Sequence, residues 1–210
     1  MATSHHKFFK ILALSSALLL MTLGQTAPEI SVRNSDVRID AASSTIDSRN
    51  NMMIFNDIVI AQGKIRVSAK KAQATNLDFE KATWIFTGNV TINIESGNLQ
   101  AEEASINFLK NKIISAKVTG EPAKFGQTIK KILIVNNKKF AGSAKIISYL
   151  VANNSITLTK GAWLSDGRNE IHSEQLTYDL LNQRIESVQN RDGSERVQIT
   201  IRPSSKTTLP

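Results

Sequence analysis

The densest run of side chains able to do acid–base chemistry is Asp166-Gly167-Arg168-Asn169-Glu170-Ile171-His172-Ser173-Glu174. General acid–base and glycosidic catalysis need paired carboxylates, or a carboxylate with a partner base, facing a cleft. In an extended strand Glu170, His172 and Glu174 share one face and Ile171 takes the other. A core claims the isoleucine side, so the acidic face is the wet one. Asp166-Gly167 then reads as a turn. A polysaccharide-processing enzyme stays in view only as a lesser alternative. The chain has no Gly-x-Ser-x-Gly nucleophile turn and no glycine-rich phosphate loop. Its three histidines are His5, His6 and the isolated His172, and it has no cysteine. Thiolate metal sites, disulfides and a lipoprotein anchor are therefore excluded, and a lone imidazole makes no zinc site. No catalytic residue, metal or cofactor is expected.

The net charge of +8 favours anionic partners without choosing among them. A single-strand nucleic-acid platform would interleave aromatic and basic residues. Trp84, Trp163, Tyr149 and Tyr178 are instead scattered, so no nucleic-acid partner is expected. At the N-terminus, Lys7 and Lys10 precede the apolar run Ile11 to Met21, and small or polar residues follow to Ala27. That order is a secretory signal peptide over residues 1–27, and the run is short for a membrane span. An uncleaved anchor is the other reading. The expected organisation is a leader, a domain over 28–203 and a flexible tail over 204–210.

The elements that must position any site are strands. Val37-Arg38-Ile39, Ile65-Arg66-Val67-Ser68, Val90-Thr91-Ile92-Asn93-Ile94, Ile156-Thr157-Leu158-Thr159 and Val197 to Ile201 all alternate apolar and polar residues. Turn chemistry at Gln62-Gly63, Thr87-Gly88-Asn89, Ser96-Gly97-Asn98, Gly120-Glu121-Pro122, Asp166-Gly167 and Asp192-Gly193 is expected to separate the runs. The Ala-rich stretches 69–74 and 100–104 are too short to stand as helices. Five units, starting at Ile39, Ile65, Leu99, Phe140 and Ile171, each run from a strand through an Asn- or Asp-containing turn to a second strand. Starts about 26 to 41 residues apart imply stacked units sharing one core. Thr128 to Lys139 reads as a hairpin with a basic tip.

Phe86-Thr87-Gly88-Asn89-Val90, Val118 to Phe125, Gly142 to Tyr149, and Ile156 to Leu164 followed by Ile171 to Tyr178 resemble, in this order, segments of the LptA/OstA family. The family forms the periplasmic bridge of lipopolysaccharide export. Here an extra unit, residues 37–63, lies upstream of the strand at Ile65. The resemblance implies an all-β fold: a twisted β-jellyroll of stacked antiparallel strands, two sheets making a V-shaped slot with an apolar interior. It implies that acyl chains lie against Phe125, Tyr149 and Val151, with Ile65 and Val67 or Val37 and Ile39 joining according to which unit is the family's first. Lys124, Lys130, Lys131, Lys138, Lys139 and Arg168 are candidates for a phosphate-binding rim. The implied partners are lipopolysaccharide, an inner-membrane LptC-like and an outer-membrane LptD-like protein met through terminal strands, and further copies head to tail. The implied location is the Gram-negative periplasm. An LptC-like anchored component of the same machinery is the alternative.

Overall fold

The computed structural model describes residues 36–75, 79–129, 138–188 and 196–203. The leader, the tail, Lys130, Lys131 and the Asp192-Gly193 turn lie outside the described residues. Described strands are β1 Arg38–Asp40, β2 Ser43–Asp47, β3 Met52–Gln62, β4 Ile65–Ala74, β5 Lys81–Ile94, β6 Gly97–Leu109, β7 Lys112–Ile129, β8 Lys138–Leu150, β9 Ser155–Ser165, β10 Glu170–Asp179, β11 Arg184–Val188 and β12 Gln198–Thr200. They form one antiparallel sheet in which β3 to β11 follow one another in chain order. The Ala-rich stretches lie within β4 and β6. Of the expected hairpin over Thr128 to Lys139, the ends pair between β7 and β8, Thr128 with Lys139 and Ile129 with Lys138, and residues 130–137 lie outside the described residues.

Alternation sets the faces. Ile58 and Ile60 are buried while Val59 is only partly so; Trp84 and Phe86 are buried while Thr83 and Ile85 are exposed. Each fully buried aliphatic or aromatic side chain of this kind contributes about 1.5–3 kcal/mol. The hairpin turns use short polar side chains. Asp47, Asp166 and Asp179 each accept backbone N–H bonds from residues two and three places on, and the amides of Asn50, Asn169 and Asn182 bond back to the carboxylates. These bonds hold the carboxyls of Asp47 and Asp179 below their ordinary range. Between β6 and β7, Lys110 and Asn111 both have positive φ, as a tight two-residue hairpin needs.

Two sequence-based turns are corrected. Thr87-Gly88-Asn89 and Gly120-Glu121-Pro122 lie inside β5 and β7. Positive φ suits a bulge as well as a turn, so glycine alone does not tell them apart. Each ladder from β4–β5 to β9–β10 slips near mid-strand, at Ser68/Lys71, Thr87/Val90, Gln100/Glu103, Thr119/Ala123, Ser143/Ile146 and Ser173/Gln175, and β6–β7 slips again at Asn107/Phe108 near its turn. Pro122, which has no N–H to give, falls in the β7 slip. Gly88 sits at φ +79°, where a Cβ would lie 2.9 Å from the Lys70 Cβ.

The mid-strand slips form a seam across the sheet, and bulges bend the strands that carry them. The expected two sheets are the two halves of this one sheet, folded along the seam. Layer one holds β2, β11 and the strand halves toward Met52, Ala74, Lys81, Leu109, Lys112, Leu150, Ser155 and Asp179. Layer two holds β1, β12 and the remaining halves. The layers face each other. Neighbouring strands lie about 4.8 Å apart, so strands three places apart would be separated by about 14 Å in a flat sheet. Yet the Gln62 amide of β3 reaches the backbone at the β6–β7 turn, and the Tyr178 hydroxyl of β10 reaches Gln127 of β7.

Candidate functional site

The apolar space between the layers is filled by side chains from both. At one end Trp84 lies among Phe55, Phe79, Phe86 and Phe108. At the other, Tyr178 of layer one packs on Phe125 and Phe140 of layer two, with ring centroids 6.0 and 5.2 Å apart. Between them run Ile92, Leu99, Ile106, Ile147, Ile156 and Leu158, all essentially inaccessible. Gly142 lets a strand approach closely here: a Cβ would sit 3.0 Å from Leu158 Cδ2 and Leu164 Cδ1.

Opposite the seam, the lips of the two layers are joined at two glutamines. Gln62 donates from Nε2 to the Asn111 carbonyl at 2.6 Å, and its Oε1 accepts the Ile113 N–H at 2.8 Å. Tyr178 donates its hydroxyl to Gln127 Oε1 at 2.8 Å. Burial, with Asp179 adding to it, pushes the Tyr178 phenol up to about 12. Burial, and then Glu95 on the opposite lip, also raise Tyr149 above its ordinary value; its hydroxyl donates to Asn154 Oδ1 at 3.1 Å.

The inner face gathers the sequence-based slot residues. Val67, Phe125 and Tyr149 are buried, and Val37, Ile39, Ile65 and Val151 are partly buried against the same core. The rim residues divide. Lys124 is exposed between the inward-facing Ala123 and Phe125, so it lies on the outer face, nearer the seam than the lip. Lys139 and the exposed Arg168 lie on the lip of layer two, where Lys139 borders a surface depression of about 560 Å³ shared with Ile94, Glu95 and Gln127. Lys138 begins β8, and its side chain lies outside the described residues.

The ends of the fold are unclosed. The outer edge of β3 is covered by two short pieces, β1 on layer two and β2 on layer one, and that of β10 likewise by β12 and β11. At the β10 end the space between layers reaches the surface. A cavity of about 260 Å³ there is lined by core residues Phe140 and Leu164 and by Ile171, Ile185 and Ile199. Ile199 is 62% exposed.

The acid–base run takes structural roles. Asp166 and Asn169 build a turn. Glu170 accepts a bond from Arg202 Nη1 at 2.6 Å, which docks the chain after β12 and is the main reason its carboxyl sits below its ordinary range. His172 is 3.8 Å from Glu170 and half exposed. Among the described residues no three His, Asp or Glu side chains are placed to hold a metal. Sequence reasoning missed Gln62, Gln127 and Trp84. The available signal was an amide or indole at an inward position of an alternating strand: Gln62 after Ile58 and Ile60, and Gln127 after Ala123 and Phe125.

An unclosed, seam-folded sheet around a continuous apolar interior defines an all-β jellyroll whose distinctive chemistry lies inside it. Residues 71–184 match the family model described as LptA/(LptD N-terminal domain) LPS transport protein. The chain is 30% identical over 132 residues to the lipopolysaccharide export system protein LptA of Haemophilus influenzae, a match covering 61% of this chain and 73% of that one. It also superposes on the crystal structure of LptH, the LptA-homologous periplasmic component of the lipopolysaccharide transport device of Pseudomonas aeruginosa. That superposition has a TM-score of 0.50 at 17% identity and covers 81% of this chain and 98% of the other; it shows the fold. The chain belongs to the LptA/(LptD N-terminal domain) family of LPS transport proteins. The findings favour an LptA-type protein over the LptC-like alternative.

Proposed function

We propose that the protein is a non-enzymatic periplasmic carrier that holds the acyl chains of lipopolysaccharide between its two layers and passes them from the inner toward the outer membrane. The observation that carries this reading is the apolar inner face, unbroken from Phe55 to Tyr178 and reaching the surface at Ile185 and Ile199. Acyl chains entering it exchange water for aliphatic and aromatic contact, at about 25 cal/mol per Å² of apolar area buried. Phe125, Tyr149, Val67 and Val151 line the path, with Ile65, Val37 and Ile39 beside it. Lys139 and Arg168 meet the lipid's phosphates at the layer-two lip. The leader directs export. The broken edges at β1/β2 and β11/β12 leave backbone groups for a strand from an LptC-like or LptD-like partner or a second copy. Head-to-tail pairing of unlike edges gives open filaments and aligns the interiors. Mass spectrometry of lipids co-purified from the native periplasm tests this. Lipopolysaccharide at near-stoichiometric yield is expected; its absence beside a folded protein overturns the reading.

A further inference from the structure

Trp84 is fully buried on the inner face of β5, and among the described residues its Nε1–H has no hydrogen-bond partner. Leaving such a donor unmade costs about 1–3 kcal/mol, so buried donors are nearly always paired. Rings surround it: those of Phe55 and Phe79 lie nearly parallel to the indole at 5.4 and 5.3 Å, and Phe86 and Phe108 complete the cluster at 6.4 and 6.1 Å. Phe108, tilted by 58°, presents at most a π face, a weak acceptor. The cluster sits beside the Gln62 junction, since the Phe79 carbonyl accepts from the Asn111 N–H and the Asn111 carbonyl accepts from Gln62. Opening that junction would expose the cluster to a ligand.

We infer that the Trp84 N–H is a polar anchor inside the apolar interior, donating to the ester or amide carbonyl oxygen of an acyl chain. The assignment rests on the proposed lipid-carrying role and deepens it. An alkyl chain alone packs against the rings but leaves the N–H unpaired. An acyl chain packs and also supplies an acceptor, so the site selects acyl over alkyl lipids at one depth. Trp84 is a specificity residue in this account, and the bulk of affinity comes from apolar burial elsewhere.

The test compares two probes with the same headgroup and chain length, dioctanoyl phosphatidic acid and its dioctyl ether analogue, by calorimetry on the full mature chain. The parent is expected to bind the ester about five- to tenfold more tightly, the worth of one buried hydrogen bond. Trp84→Phe keeps an aromatic ring, drops the N–H and should bring that ratio to about one. A second readout uses Trp163→Phe, which leaves Trp84 as the sole indole of the two. Its emission should move to longer wavelength with the ester probe and stay put with the ether. Equal parent affinity for both probes overturns the anchor while leaving lipid carriage intact. Failure of the parent to bind either probe or lipopolysaccharide overturns the carrier reading and the anchor with it.

Discussion

Replacing Gln62 with methionine keeps the side chain's length and removes both of its bonds across the mouth. The Asn111 carbonyl is near the surface and can turn to water. Ile113 is only 4% exposed, so its N–H loses its acceptor where water does not easily follow. One net hydrogen bond of about 1 kcal/mol and a stranded donor at about 1–3 kcal/mol sum to about 2–4 kcal/mol. That is about a 30- to 700-fold shift toward local opening, at 1.4 kcal/mol per decade. Native-state hydrogen exchange reads it directly, because the Ile113 amide exchanges through that opening. Its rate should rise by that factor, and neighbours Lys110 to Ile113 should follow. Amides of β9 and β10, on the far side of the fold, should change little. Unchanged protection at Ile113 would refute the idea that Gln62 closes the mouth. A uniform rise over all strands would show a global loss of stability instead of a local junction.

Three further outcomes follow from the same geometry. The chain's two tyrosines are both raised by burial, so phenolate absorbance should not develop at the ordinary value near 10. The Tyr178 phenol favours the folded state while neutral, so stability should fall as pH rises from about 10 to about 12; a single transition at the ordinary tyrosine value would contradict its burial. For Glu170 the sign is opposite: its folded value lies below the unfolded value of about 4.3, so its hold on Arg202 is present above that pH and is lost as pH falls through the folded value. Protection factors at the β12 amides, measured against the intrinsic exchange rate at each pH, should fall in that acid window and stay constant there in Glu170→Gln. Finally, Ile199→Pro removes a donor from β12 and should weaken concentration-dependent assembly in light scattering while circular dichroism still reports strands; assembly equal to the parent's would place the joint elsewhere.

Much of this was legible in sequence because a half-buried strand writes its faces into alternate residues. Ile58-Val59-Ile60 and Val90 to Ile94 fall in register as their alternation requires. The seam was not legible at Thr87-Gly88-Asn89, since a glycine at positive φ serves a hairpin and a bulge equally. Only the partner strand, continuing past the slip, distinguishes them. Two layers meeting at Gln62 and Asn111 were equally hidden, because a contact between residues far apart in the chain leaves no local pattern. Trp84 read as one scattered aromatic until four phenyl rings, from two other strands, its own strand and a turn, gathered round it.

The central claim is that lipid occupies the space between the layers. Photo-crosslinking amino acids placed at Phe125 and Tyr149, inside, and at Lys124 and Glu174, outside, test it most directly when the protein is loaded with lipopolysaccharide and irradiated. Capture at Phe125 and Tyr149 with little at Lys124 and Glu174 is the predicted pattern. Equal capture at all four positions, or capture confined to the outer pair, would contradict it.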